Sequence, residues 1–349
     1  MVSASSRPHR MAANRVPVYY AGGEHIDRFR GEVAPFQGPE DWVGSVTAFP
    51  SRLLPPGAPP GSGISRMPDG SLLRTAVLAD PIGWLGPDLA ARWDGETGLL
   101  VKLLDAGERL PVHAHPSRPF AAAHLASPFG KTEGWIVMEG APGGEVWLGF
   151  REEISIGQLR HWVETQAISE MLDALNRLPT RPGGVFYVPA GVPHAIGPGV
   201  MITELQEPTS FSILAEYAPF GLDADQATLG LGWATALDAF DRSAYGPERL
   251  GVLMPEPRVL RDDSQAHVGR LFEQRAEPFF QALRCVIHGS HELPAGFGVL
   301  VVEAGDGTLC FGVDAQPVRG GETWVVPFGA GPVRVTGDVR LLVCLPPGS

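Results

Sequence analysis

Apolar residues along this chain cluster in short runs punctuated by glycine and proline, a rhythm of brief strands and tight turns. Residues 98–105 predict one buried strand, and a turn at Ala106-Gly107-Glu108 leads into a second over 110–115. Residues 41–47, 134–138 and 185–190 predict three more. From 17 to 100 short strand candidates alternate with breakers, and the prolines of residues 52–63 exclude a regular ladder, so that stretch is a loop. Two regions depart from this rhythm. Between 153 and 178, Ile156, Leu159, Trp162, Val163, Ile168, Met171, Leu172, Leu175 and Leu178 recur near the helical period. They predict two amphipathic helices inserted between strands, with their stripe packed on the barrel. Residues 223–242, with Leu229, Leu231, Trp233, Ala236, Leu237 and Phe240, predict a following helix.

Beyond 265, strand candidates at 279–288, 297–303, 307–313, 322–328, 333–335 and 339–344 are separated by Gly-rich turns and predict a second small barrel. A chain of 349 residues exceeds what one hydrophobic core usually serves, which agrees with two domains. The expected fold is mainly β: two jelly-roll barrels with a small inserted helical segment. Residues 1–16 are expected as a disordered tail and 17–253 as the first barrel. Residues 254–265, polar and Pro-containing, are expected as a linker, and 266–349 as a second, metal-free barrel for packing or assembly.

The first barrel carries the chemistry. His113-Ala114-His115-Pro116, Lys131-Thr132-Glu133 and the Pro189-to-Gly197 segment with His194 supply three imidazoles and a carboxylate at strand edges. Side chains alternate faces along a strand, so His113 and His115 point the same way. Such a set suits one borderline divalent cation, zinc first, with manganese, iron or cobalt as alternatives. The strand-edge placement and spacing are those by which a cupin barrel builds a metal site.

Composition narrows the partners. A net charge of −12 argues against nucleic acid and anionic membrane, since either needs a basic face. Cys285, Cys310 and Cys344 are scattered and odd in number, so they read as small apolar residues of a reducing compartment. No apolar run approaches the ~20 residues of a membrane helix, and residues 1–16 lack a signal peptide's apolar core. A cytoplasmic location is expected, with a small-molecule ligand; nothing in the pattern sets the oligomeric state.

Residues 101–116, 130–135, 189–197 and 204–206 together resemble the class I mannose-6-phosphate isomerase family, and the resemblance runs from about Val18 to the C-terminus. It implies two cupin barrels and one divalent metal, usually zinc, on His113, His115, Glu133 and His194. At the first of these the family has glutamine, and imidazole there should bind zinc at least as well. It also implies aldose–ketose interconversion through an ene-diol. Mannose 6-phosphate and fructose 6-phosphate are the default pair, and a non-phosphorylated sugar is a competitor. Lys131 and Glu204 fall at the family's substrate cavity and are the expected catalytic residues; Lys131, Glu216 and Arg118 are the expected substrate contacts. The family's substrate clamp is altered here. Ser210 stands where the family has aspartate, Leu214 where it has arginine and Pro111 where it has serine, while Arg118 replaces an aspartate and would restore a cation. Two other classes compete: a metal-holding cupin that binds sugar without turning it over, and a different metal reaction such as dioxygenation.

Overall fold

Side chains on the strand Leu100–Asp105 alternate between two apolar bodies, and the same alternation organises the whole molecule. Val101 and Leu103 join a core shared with the C-terminal part of the chain, whereas Leu104 joins the core inside the first barrel. Val200–Gln206 behaves likewise, with Met201 and Leu205 in the shared core and Val200 and Ile202 inward. So does Val185–Val188, where Val185 and Tyr187 face the shared core and Phe186 and Val188 the inside. Successive residues of a strand point to opposite faces, so Lys102 and Glu204 take the inward parity. Burial on both faces is why these segments read as unbroken apolar runs.

The structure, a computed structural model, describes residues 3–32, 38–50, 54, 61–93, 95–140 and 144–348. It is mainly β, and every strand pairing is antiparallel among the described residues. A six-stranded sheet runs Arg15–Val16, Glu40–Val43, Leu100–Asp105, Val200–Gln206, Glu133–Gly140, Val185–Val188. A five-stranded sheet runs Ile213–Leu214, His113–Ala114, His194–Ile196, Glu145–Phe150, Leu175–Pro179. These two sheets enclose the first barrel. Helices Ile156–Thr165 and Ile168–Ala174 cover the outer face of the second, where Leu159, Trp162, Val163 and Met171 meet Ala114, Phe150, Ala195 and Ile213.

The C-terminal part is one nine-stranded sheet with two buried faces. Leu300, Val302, Trp324, Leu341 and Val343 fill its own core, while Val299, Val301, Val325, Leu342 and Cys344 face the first barrel. No helix among the described residues is long and apolar enough to cross a membrane.

Several expectations need correction. Within residues 1–16, His9–Met11 is an ordered strand on Thr323–Val326, with Met11 in the shared core. Three residues are too few to show a period, so nothing in the pattern marked it. The expected linker holds a strand, Arg258–Asp262, which extends the sheet by pairing with Ala266–Arg270. Its polar composition is that of an exposed edge. In the region from 17 to 100, helices Leu73–Ala79, Pro81–Leu85 and Pro87–Trp93 replace some of the expected strands. Asp80 caps Pro81–Leu85 by accepting from Gly83 N at 3.0 Å, and Leu73, Val77, Trp84 and Leu89 bury in the shared core. The helix expected over 223–242 is three short turns, Ala224–Ala227, Trp233–Ala236 and Leu237–Ala239, interrupted where Gly230 and Gly232 adopt positive φ. Most of the 52–63 loop lies outside the described residues.

Candidate metal centre

Register builds this site. His194 stands directly opposite His113 on the neighbouring strand, and His115 lies two residues further on the same side. Their rings come to 4.1–4.9 Å between centroids, and one nitrogen from each falls within 4.8 Å of the others. Each Nδ1 lies 2.8 Å from a backbone carbonyl, that of Pro111 for His113, Phe211 for His115 and Val192 for His194. A carbonyl only accepts, so Nδ1 carries the proton and Nε2 presents a lone pair inward.

Glu133 completes the set from the six-stranded sheet. Its Oε1 is 2.9 Å from His115 Nε2 and its Oε2 is 3.7 Å from His194 Nε2. With the imidazole protons on Nδ1, these facing atoms are all acceptors. His115 Nε2, His194 Nε2 and Glu133 Oε1 are buried without a hydrogen bond. Converging buried lone pairs of this kind are costly unless a cation sits among them, and three imidazoles with one carboxylate fit a divalent ion. Burial holds all three histidines neutral: His113 lies well below the usual imidazole range, His115 is pushed down to about 3, and His194 is lowered. Burial opposes ionisation of Glu133, but the Lys131 ammonium beside it holds its carboxyl well below the usual range.

Around this centre lies a ring of buried charge. Lys131 Nζ is 3.0 Å from Glu133 Oε1, and Trp135 Nε1 donates to Glu133 Oε2 at 3.0 Å. Lys102 and Glu204 are register partners on adjacent strands, with Nζ 3.0 Å from Oε2. Lys102 also lies 3.3 Å from Glu40, which accepts from Tyr20 Oη at 2.5 Å and from Trp42 Nε1 at 2.7 Å. Burial and then the charge of Glu133 push the Glu204 carboxyl up to about 7. Burial alone would lower Lys102, but Glu204 and Glu40 raise it instead. Lys102, Lys131, Glu40, Glu204, Tyr19 and Tyr20 line one cavity with His113, Glu133 and His194. It continues past Trp42, Phe49, Ser210, Leu214 and Gln226.

Two expected substrate contacts are not brought to this cavity. Arg118 donates to Glu207 at 2.5 Å and to Pro278 O at 2.9 Å, and lies over the Phe279 ring, tying the first barrel to the C-terminal part. Glu216 is buried, not solvated. It accepts a two-pronged bond from Arg109, both at 2.6 Å, and another from Val112 N. Both residues hold the scaffold. Lys102, Glu40 and Tyr20 were not anticipated, although Lys102 is the one charge in the apolar run 99–104, an available signal.

No model of a known protein family matches the chain. A mannose-6-phosphate isomerase of Streptococcus mutans is 28% identical over 255 residues, 70% of this chain and 72% of the relative. In structure, the mannose 6-phosphate isomerase of Bacillus subtilis superposes over 97% of this chain and 99% of its own, with a TM-score of 0.74 at 20% identity. The Salmonella typhimurium enzyme, solved with zinc and fructose 6-phosphate, covers 98% of this chain and 100% of its own, with a TM-score of 0.71 at 16% identity. Over 70% of its length the chain resembles mannose-6-phosphate isomerases in sequence, and over nearly its whole length it shares the fold of solved members of that family.

Proposed function

We propose that this protein is a metal-dependent aldose–ketose isomerase acting on a sugar of the mannose and fructose type. The observation that carries this reading is the meeting of converging buried donors, with His115 Nε2, His194 Nε2 and Glu133 Oε1 lacking a hydrogen bond, and a buried acid–base group, Glu204, which lines one cavity with His113, Glu133 and His194. His113, His115, Glu133 and His194 would hold one divalent ion, zinc by the chemistry of the donors and by the relative solved with it. Such an ion supplies a Lewis acid for the sugar's C1 and C2 oxygens.

The remaining work falls to the chain's own groups. Converting an aldose to its ketose removes a proton from C2 and returns one to C1, while a hydroxyl proton passes from O2 to O1. Glu204, near neutrality in its ionisation, is suited to take and return the carbon-bound proton. The ammonium groups of Lys131 and Lys102 are placed to donate to the sugar oxygens, and their carboxylate partners keep them charged and oriented. Tyr20 and Trp42 fix Glu40, and Glu40 fixes Lys102. The domain proposal follows: catalysis in the first barrel, support from the C-terminal sheet.

The test is proton exchange. Zinc-loaded protein incubated in D₂O with free and 6-phosphorylated mannose and fructose should introduce deuterium at C1 or C2 and interconvert aldose and ketose. Sugar binding without exchange or conversion would instead support the non-catalytic reading.

A further inference from the structure

The charge roster of the cavity decides what kind of sugar it takes. Among the described lining residues only Lys102 and Lys131 are cationic, and both are engaged. Lys102 sits between Glu40 and Glu204, and Lys131 on Glu133. The arginines of nearby segments are engaged elsewhere: Arg109 holds Glu216, and Arg118 holds Glu207. Away from the metal donors and these ion pairs, the described part of the wall is neutral, made by Trp42, Phe49, Leu214, Ser210, Ser212 and Gln226. A phosphate dianion brought there would lose water and find, among the described residues, no cation beyond Lys102 and Lys131, whose charges Glu40, Glu204 and Glu133 already offset. Neutral hydroxyls would meet neutral partners, the Ser210 and Ser212 hydroxyls and the Gln226 amide, against apolar surface from Trp42 and Phe49.

We infer that the substrate is a free monosaccharide, neutral at the end remote from the metal donors, and not its phosphate ester. This rests on the isomerase reading above and names its substrate class. Leu214 is the residue that sets it. It lines the cavity beside Ser210 and Ser212, so a cation placed there would face the bound ligand.

The experiment compares mannose with mannose 6-phosphate on zinc-loaded wild type, by calorimetric titration and by kcat/KM. The wild type should bind the ester no more tightly than the free sugar and should turn over the free sugar at least as well. In Leu214→Arg the ratio of ester to free sugar should rise by about tenfold or more in both measurements. Leu222→Arg, on a more exposed part of the same wall, provides the same readout should the buried substitution fail to fold. A wild type that prefers the ester about tenfold in either measurement overturns the inference while leaving the isomerase intact. Binding of free sugar with no turnover of either compound sinks the isomerase reading but supports the neutral site. Binding of neither overturns both.

Discussion

Each histidine is held by its own backbone carbonyl, and Glu133 by Trp135 and Lys131, so removing one donor leaves the others in place but one lone pair short. His115→Ala or Glu133→Ala should reduce bound zinc from near one per chain to a small fraction, as elemental analysis after dialysis will show. In the metal-free protein the same burial has a signature in pH. An unfolded histidine takes up its proton near pH 6.5, whereas buried His113, His115 and His194 do not. Stability is therefore full above pH 6.5 and falls as pH drops toward the lowered folded values, by up to about 1.4 kcal/mol per pH unit for each histidine. Glu204, raised to about 7, works in the opposite direction, since the folded state takes up its proton first. The net expectation is a loss of stability from pH 7 to 5 that is shallower in His115→Ala than in wild type, measured by urea unfolding with chelator present. The meeting of His113, His115 and His194 was legible in the sequence because His-x-His and the Pro/Gly turn before His194 carry fixed local geometry. Arg118 and Glu216 were misassigned because nothing local shows that their partners, Glu207 and Arg109, lie 89 and 107 residues away.

Strands carry the site more than loops do, and one glycine shows how closely the elements are packed. Gly134 follows Glu133 on a strand whose outer face meets the C-terminal part. A Cβ there would lie 2.5 Å from the Phe272 ring and 2.7 Å from Phe280, which are themselves edge to face at 5.2 Å. Gly134→Val should cost about 1–3 kcal/mol by overpacking, read from urea midpoints. An unchanged midpoint would mean that the two barrels are not pressed together there. The period near 3.6 over 153–178 matches helices over 156–174, whereas Leu175 and Leu178 belong to the strand Leu175–Pro179, which a period alone does not separate from the stripe before it. The helices between 73 and 93 were missed because each is only five to seven residues long, closed by Asp80, Pro81, Gly86 and Pro87, the same residues that read as loop punctuation.

At the scale of the whole molecule the shared core makes the two barrels one folding unit. Val101, Leu103, Ile136 and Leu205 from the first barrel bury against Phe280, Phe297, Val301 and Leu342, and His9–Met11 from the N-terminus adds a strand to the C-terminal sheet. Scanning calorimetry should give a single transition with calorimetric and van't Hoff enthalpies equal. Two separated transitions would show independent domains. Fold class, the helices over 156–174 and the convergence of His113, His115 and His194 were all legible in the sequence alone, since each depends on a local period or a short motif. Which parity of each strand faces the cavity was not. Leu99-Leu100-Val101-Lys102-Leu103-Leu104 is apolar on both faces, because one face lines the barrel and the other meets the second sheet. Only the packing of the two sheets places Lys102 inside beside Glu204 and Glu40. Only that packing pairs Arg109 with Glu216 and Arg118 with Glu207, because ion pairs between distant segments form where burial makes them necessary and no local pattern records it.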